Sequence, residues 1–108
     1  MKVITILEAR VSPENWEALE KAFKAGTELL PPQLVQSFLT HNAKDPTLWR
    51  IISVWRSREA LEEVRRTEET PAGILVFRAA GAEPAQSLFD VIAQVGQRTK
   101  EDNLPDPD

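Results

Sequence analysis

The chain has one histidine and no cysteine among its 108 residues. Histidine is the side chain that ordinarily changes charge near neutrality, so His41 is the candidate general base. The competing assignment is a polar residue at the end of a hairpin strand, bonded to backbone or water. Trp49, Ser53 and Trp55 recur at even spacing in TLWRIISVW. Two indoles on one strand face could stack on a flat aromatic ligand, with Ser53 offering it a hydrogen bond. The same residues could equally be core, since large aromatics carry much of a small domain's buried area. Arg50 and Asp90 sit in otherwise apolar strands, where a charge needs a partner, either each other or a second subunit.

Other chemistries lack their residues. Without cysteine there is no disulfide, thiol nucleophile or thiolate metal site. No G-x-S-x-G elbow is present, the four glycines form no phosphate loop, and no ligand motif accompanies His41, so neither metal nor cofactor is expected. Glu62, Glu63, Glu68 and Glu69 are interleaved with arginines, as on a solvated helix face. A net charge of −4 argues against nucleic acid as a partner. No apolar run approaches the roughly 20 residues of a membrane span. MKVITILEAR lacks a signal peptide's apolar core, so a cytoplasmic location is expected.

The elements that must position these residues follow in order. Lys2 to Val11 reads as a strand, with Val3, Thr5, Leu7, Ala9 and Val11 on one face and Ile4 and Ile6 on the other. Ser12-Pro13-Glu14 predicts a helix start with a hydroxyl cap. Trp16, Leu19, Phe23, Gly26 and Leu30 then form a buried stripe that Pro31-Pro32 ends. Leu34 to Asn42 and Thr47 to Arg56 predict a hairpin. If Asn42 opposes Thr47, then Gln36, Phe38 and Thr40 share a face with Trp49, Ile51, Ser53 and Trp55, and His41 lies on the other. Ser57 caps a helix with Leu61 and Val64 as its apolar stripe. Thr70-Pro71, another cap-and-proline pair, restarts the chain, and residues 72–80 could be helix or strand. Ala85 to Val95 predicts a last strand.

The order is β-α-β-β-α-β, an α+β ferredoxin-like fold with a four-stranded antiparallel sheet and its helices on one side. One domain spans 1–96, and 97–108 is a polar, acidic tail expected to be flexible. Several strands are apolar on both faces, but helices can cover one. The uncovered face measures roughly 500 Å² from ordinary strand spacing and rise, within the roughly 300–600 Å² that monomers leave exposed at most. A homodimer packed sheet to sheet is therefore expected, with edges or tail adding to the interface.

The hairpin FLTHNAKDPTLWRIISVW followed by Arg56-Ser57-Arg58-Glu59-Ala60-Leu61 resembles the antibiotic-biosynthesis-monooxygenase-like family of dimeric α/β barrels. The resemblance implies a cleft between sheet and helices. Polyketide-oxidising members hold a histidine, an asparagine, a tryptophan and a tyrosine there. His41 and Trp55 match the first and third, while Ile51 and Leu61 stand where the asparagine and tyrosine would be. Haem-degrading members are less similar: Ala9 replaces their asparagine and Val64 their tryptophan, and no histidine follows for haem ligation.

The resemblance thus implies a cofactor-independent monooxygenase acting on a small quinol- or polyphenol-type aromatic. His41 would be the base, and Trp55, Trp49, Ser53, Ile51 and Leu61 would line the site. The alternative is a non-catalytic dimeric ligand-binding or interaction module on the same fold. The residues leave both open.

Overall fold

Strict alternation along the first strand sets the layering. In β1 (Val3–Arg10), Val3, Thr5, Leu7 and Ala9 are buried while Ile4, Ile6 and Glu8 are half-buried and Arg10 is exposed. The computed structural model describes residues 1–26 and 30–96. The expected tail at 97–108, and part of the predicted first helix at 27–29, lie outside the described residues.

After β1 comes a 3-10 turn (Pro13–Asn15), then α1 (Trp16–Gly26), β2 (Leu34–His41), β3 (Leu48–Trp55), α2 (Arg58–Thr67), α3 (Ala72–Ala79) and β4 (Ala85–Asp90). The segment left open between helix and strand is thus helical, and Val76 and Phe77 are its buried residues. The strands form one antiparallel sheet in the order β2-β3-β1-β4, with the helices on one side. This is the ferredoxin-like βαββαβ arrangement.

Four sequence expectations are corrected. The last strand ends at Asp90 rather than Val95, although the Val91 N–H still donates to the Lys2 carbonyl. Ser12 makes no side-chain cap; Pro13 begins a 3-10 turn instead. Thr70 does not cap α3, where the Pro71 carbonyl accepts the Ile74 and Leu75 N–H groups instead. The hairpin register is shifted by one. Asn42 pairs with Leu48, its N–H donating to the Leu48 carbonyl at 2.9 Å, because its Oδ1 is occupied accepting from the Lys44 and Asp45 N–H groups at 2.8 and 3.1 Å. That Asx-type turn consumes one more residue than a tight loop would.

A one-residue shift exchanges every side chain of a strand between faces. His41, Leu39 and Ser37 therefore oppose Trp49, Ile51 and Ser53 on the helix-covered face. Gln36, Phe38 and Thr40 lie on the open face with Val54, Ile52 and Arg50. A bulge between Leu34 and Gln36 then returns Leu34 to the covered side, opposite Trp55. The core between sheet and helices gathers Leu7, Ala9, Val11, Leu19, Trp49, Ile51, Val76, Phe77 and Ala80. Phe77 and Leu19 are wholly buried, each worth roughly 1.5–3 kcal/mol of apolar burial.

Candidate functional site

Where β3 runs into α2 the covered side is hollow. The cavity has a volume of about 140 Å³. Its floor is the sheet: Thr5 and Leu7 from β1, Ile51, Ser53 and Trp55 from β3, Leu34 and Ser37 from β2. Leu61, Val64 and Arg65 of α2, Gly73 and Val76 of α3, and Phe23 of α1 wall it. Local sequence explains the walls. Ser57 Oγ accepts the Ala60 N–H at 3.0 Å, starting α2 immediately after the strand. That start directs Leu61 and Val64, both buried, onto the sheet. Gly73 lets α3 approach β1 closely, since a Cβ there would lie 2.5 Å from Leu7 Cδ1.

The lining is mainly apolar; its floor carries a row of hydroxyls and, from β4 beside Leu7, Gln86. Thr5, Ser53 and Ser37 are cross-strand neighbours in a single row. The Ser37 and Ser53 hydroxyls are 2.9 Å apart and hydrogen-bond each other. The Trp55 Nε1–H donates to Thr5 Oγ1 at 2.9 Å, which holds the indole edge against the floor. Arg65 and Glu68 are the charged residues that line the cavity among those described.

Of the candidates read from sequence, Trp55, Ser53, Ile51 and Leu61 come together here. His41 and Trp49 do not. They share the covered face with Trp55 but lie toward its other end, about 20 Å along β3 at ordinary strand rise. There the His41 ring sits edge-on to Trp49 with centroids 4.9 Å apart and tilted against Trp16 at 6.2 Å. Trp16 and Trp49 are in T-shaped contact at 5.8 Å. Trp16 Nε1–H donates to the Val11 carbonyl at 2.8 Å. Trp49 is buried in the core, and among the described residues its indole N–H has no hydrogen-bond partner. His41 itself is exposed.

Arg50 and Asp90 do not pair with each other. Arg50 Nε donates to Glu8 Oε2 at 3.1 Å on the open face, and Arg58 donates to Asp90 Oδ1 at 2.7 Å. These pairs are partly exposed and structurally local. Among the described residues, no three of His, Asp and Glu converge as a metal site. Thr5, Ser37 and Gly73 were missed as lining residues. The signal for Thr5 was present, a hydroxyl on an apolar strand face. Ser37 depended on the hairpin register, and Gly73 on helix placement.

A model of the antibiotic biosynthesis monooxygenase family matches residues 2–73. No functionally curated protein matches the sequence. Among solved structures, the fold is similar to SnoaB, a cofactor-independent oxygenase from Streptomyces nogalater, with a TM-score of 0.66 at 19% identity over 89% of this chain and 98% of that one. It is also similar to a candidate antibiotic biosynthesis monooxygenase from Deinococcus radiodurans, with a TM-score of 0.67 at 12% identity over 90% and 99% of the two chains. A conserved protein from Methanosarcina mazei gives 0.65 at 12% identity over 82% and 91%. At these identities the likeness is one of fold.

Proposed function

This chain belongs to the antibiotic biosynthesis monooxygenase family, and from that premise we propose that it binds a small, flat, mostly apolar aromatic molecule in the cavity and oxidises it with O2, without a cofactor. The observation carrying this reading is the apolar cavity at the end of β3, walled by Trp55. An electron-rich phenol or hydroquinone supplies its own reducing power. For a phenol, a ring C–H and the O–H are lost, O2 delivers one oxygen to the ring carbon, and the products are a quinone and water. The protein's part is to exclude water and orient the ring. The geometry gives His41 no part in this cavity, so proton removal is not assigned to it.

The second reading, a non-catalytic binding module, is favoured by the same placement: among the described residues the cavity's lining has hydroxyls, an arginine and a glutamate but no histidine. Oxygen uptake with a panel of phenols and hydroquinones separates the two. Uptake with at least one substrate, reduced tenfold or more in Trp55→Ala, is the expected result. Binding without uptake leaves the module, and neither binding nor uptake sinks both.

The proposal includes a homodimer formed through the open face and a cytoplasmic setting. Phe38 and Phe89 are about half exposed there, flanking the half-buried Ile4, Ile6, Ile52 and Val54. A patch of this composition is costly to leave in water. A monomeric mass in sedimentation equilibrium at micromolar concentration would refute the dimer. Among the described residues, no helix is long and apolar enough to cross a membrane.

A further inference from the structure

The cavity's size and the hydroxyl row on its floor together specify a narrower ligand than the family resemblance suggests. This inference rests on the cavity being the aromatic site proposed above. A volume of about 140 Å³ is close to the roughly 150 Å³ of an engineered apolar cavity that takes up benzene. It falls well below the roughly 300–1,000 Å³ of sites for larger, drug-sized molecules. That volume suits one ring; a fused polycycle would extend past the mouth of the cavity or displace its walls.

The hydroxyl row supplies the orientation. Two serine hydroxyls have two protons, and their mutual bond uses one, so the Ser37–Ser53 pair retains one donor and free lone pairs. Thr5 accepts from the Trp55 indole and retains its own proton to donate. The row runs across three strands, with the apolar rows Leu7–Ile51–Leu39 on one side and Val3–Trp55–Leu34 on the other. Buried hydroxyls on such a floor cost stability unless their remaining capacity is met. An oxygen that both donates and accepts matches that capacity. The row carries no formal charge, so it offers a carboxylate no compensation for its desolvation.

We propose that Thr5, Ser53 and Ser37 form the specificity-determining edge of the cavity, selecting a neutral single-ring molecule whose hydroxyl group lies along that row. In this chain the row takes the orienting role for which Ile51 and Leu61 have no polar group.

The test is titration of the full chain with toluene, phenol, benzoate and 1-naphthol, read by calorimetry or tryptophan fluorescence. Phenol is expected to bind roughly three- to tenfold more tightly than toluene, the range set by one or two net neutral hydrogen bonds. 1-Naphthol and benzoate are both expected to bind more weakly than phenol. In the Ser37→Ala/Ser53→Ala variant toluene affinity is unchanged and most of the phenol preference is lost, with only the Thr5 hydroxyl left to supply it. Toluene reports an intact cavity, so if the double variant loses it, Ser37→Ala alone carries the comparison. A phenol preference undiminished without the serines overturns the assignment. Benzoate binding tighter than phenol also overturns it, by making Arg65 the selecting group. Tighter binding of naphthol overturns the single-ring limit. If no ring compound binds the unaltered protein, the aromatic-site reading itself fails, a result distinct from binding that ignores the serines.

Discussion

The two ends of the helix-covered face are built from the same strands but filled in opposite ways. Toward the hairpin turn, Trp16, Trp49 and His41 interlock, and Leu19, Phe77 and Ala80 close the core over them. Toward the β3–α2 junction, the positions that would continue that core carry Thr5, Ser37 and Ser53 below and Gly73 above, and a cavity remains. Large residues at one end fasten the helices to the sheet. Small residues at the other can then leave space without loss of the fold. A hollow site in a domain of this size depends on such a division, because total stability is only a few kcal/mol.

The comparison breaks most readily at the packed end. Phe77→Ala empties the position of a wholly buried ring and is expected to cost about 3–5 kcal/mol, measured by urea unfolding. A loss below about 1 kcal/mol would mean that the two ends are not differently packed.

Gly73→Ala sharpens the contrast from the hollow side. The new methyl meets Leu7 Cδ1 at 2.5 Å, but that atom is the tip of a flexible side chain beside open space. The clash is offset by the roughly 1 kcal/mol gained from alanine over glycine in a helix, so net stability should move by less than about 1 kcal/mol. Leu7 must swing into the cavity, and aromatic affinity should fall several-fold in the same titration.

The smallest effect is one of pH, and it too belongs to the packed end. Hydrogen bonds from Arg10 and Thr47 hold the Asp45 carboxyl below its ordinary value of 3.8, and Arg78 holds Glu83 below 4.5. Both groups are lower in the folded chain, so each contributes stability above its ordinary value that is lost as pH falls through the folded value. The effect is small because both pairs are exposed to solvent. Arg10→Ala should flatten the decline of stability below about pH 4; an unchanged slope would remove Asp45 from the account.

Much of this was legible in the chain. Alternation in VITILEAR and LWRIISVW marked strands apolar on both faces, and Ser57 followed by REAL marked the start of α2. Trp55 and Leu61 could be placed near a cavity because strand and helix adjoin in sequence. His41 could not. Its face depended on whether Asn42 paired with Thr47 or Leu48, and a side-chain bond within the turn decided that. Even on the corrected face it lies at the wrong end. Face is a matter of parity, whereas position along the sheet depends on which helix covers each stretch. Arg50 and Asp90 showed a similar limit: the need for partners could be read, but Glu8 and Arg58 emerged from strand and helix placement.

By itself the sequence determined the β-α-β-β-α-β order apart from residues 72–80, and the two-sided apolar strands, because these follow from local periodicity; the family followed from likeness to its other members. Tertiary structure decided where the space is. A cavity is a difference between facing surfaces, here three hydroxyls on neighbouring strands and one glycine on a helix, and no single stretch of the chain contains both sides of it.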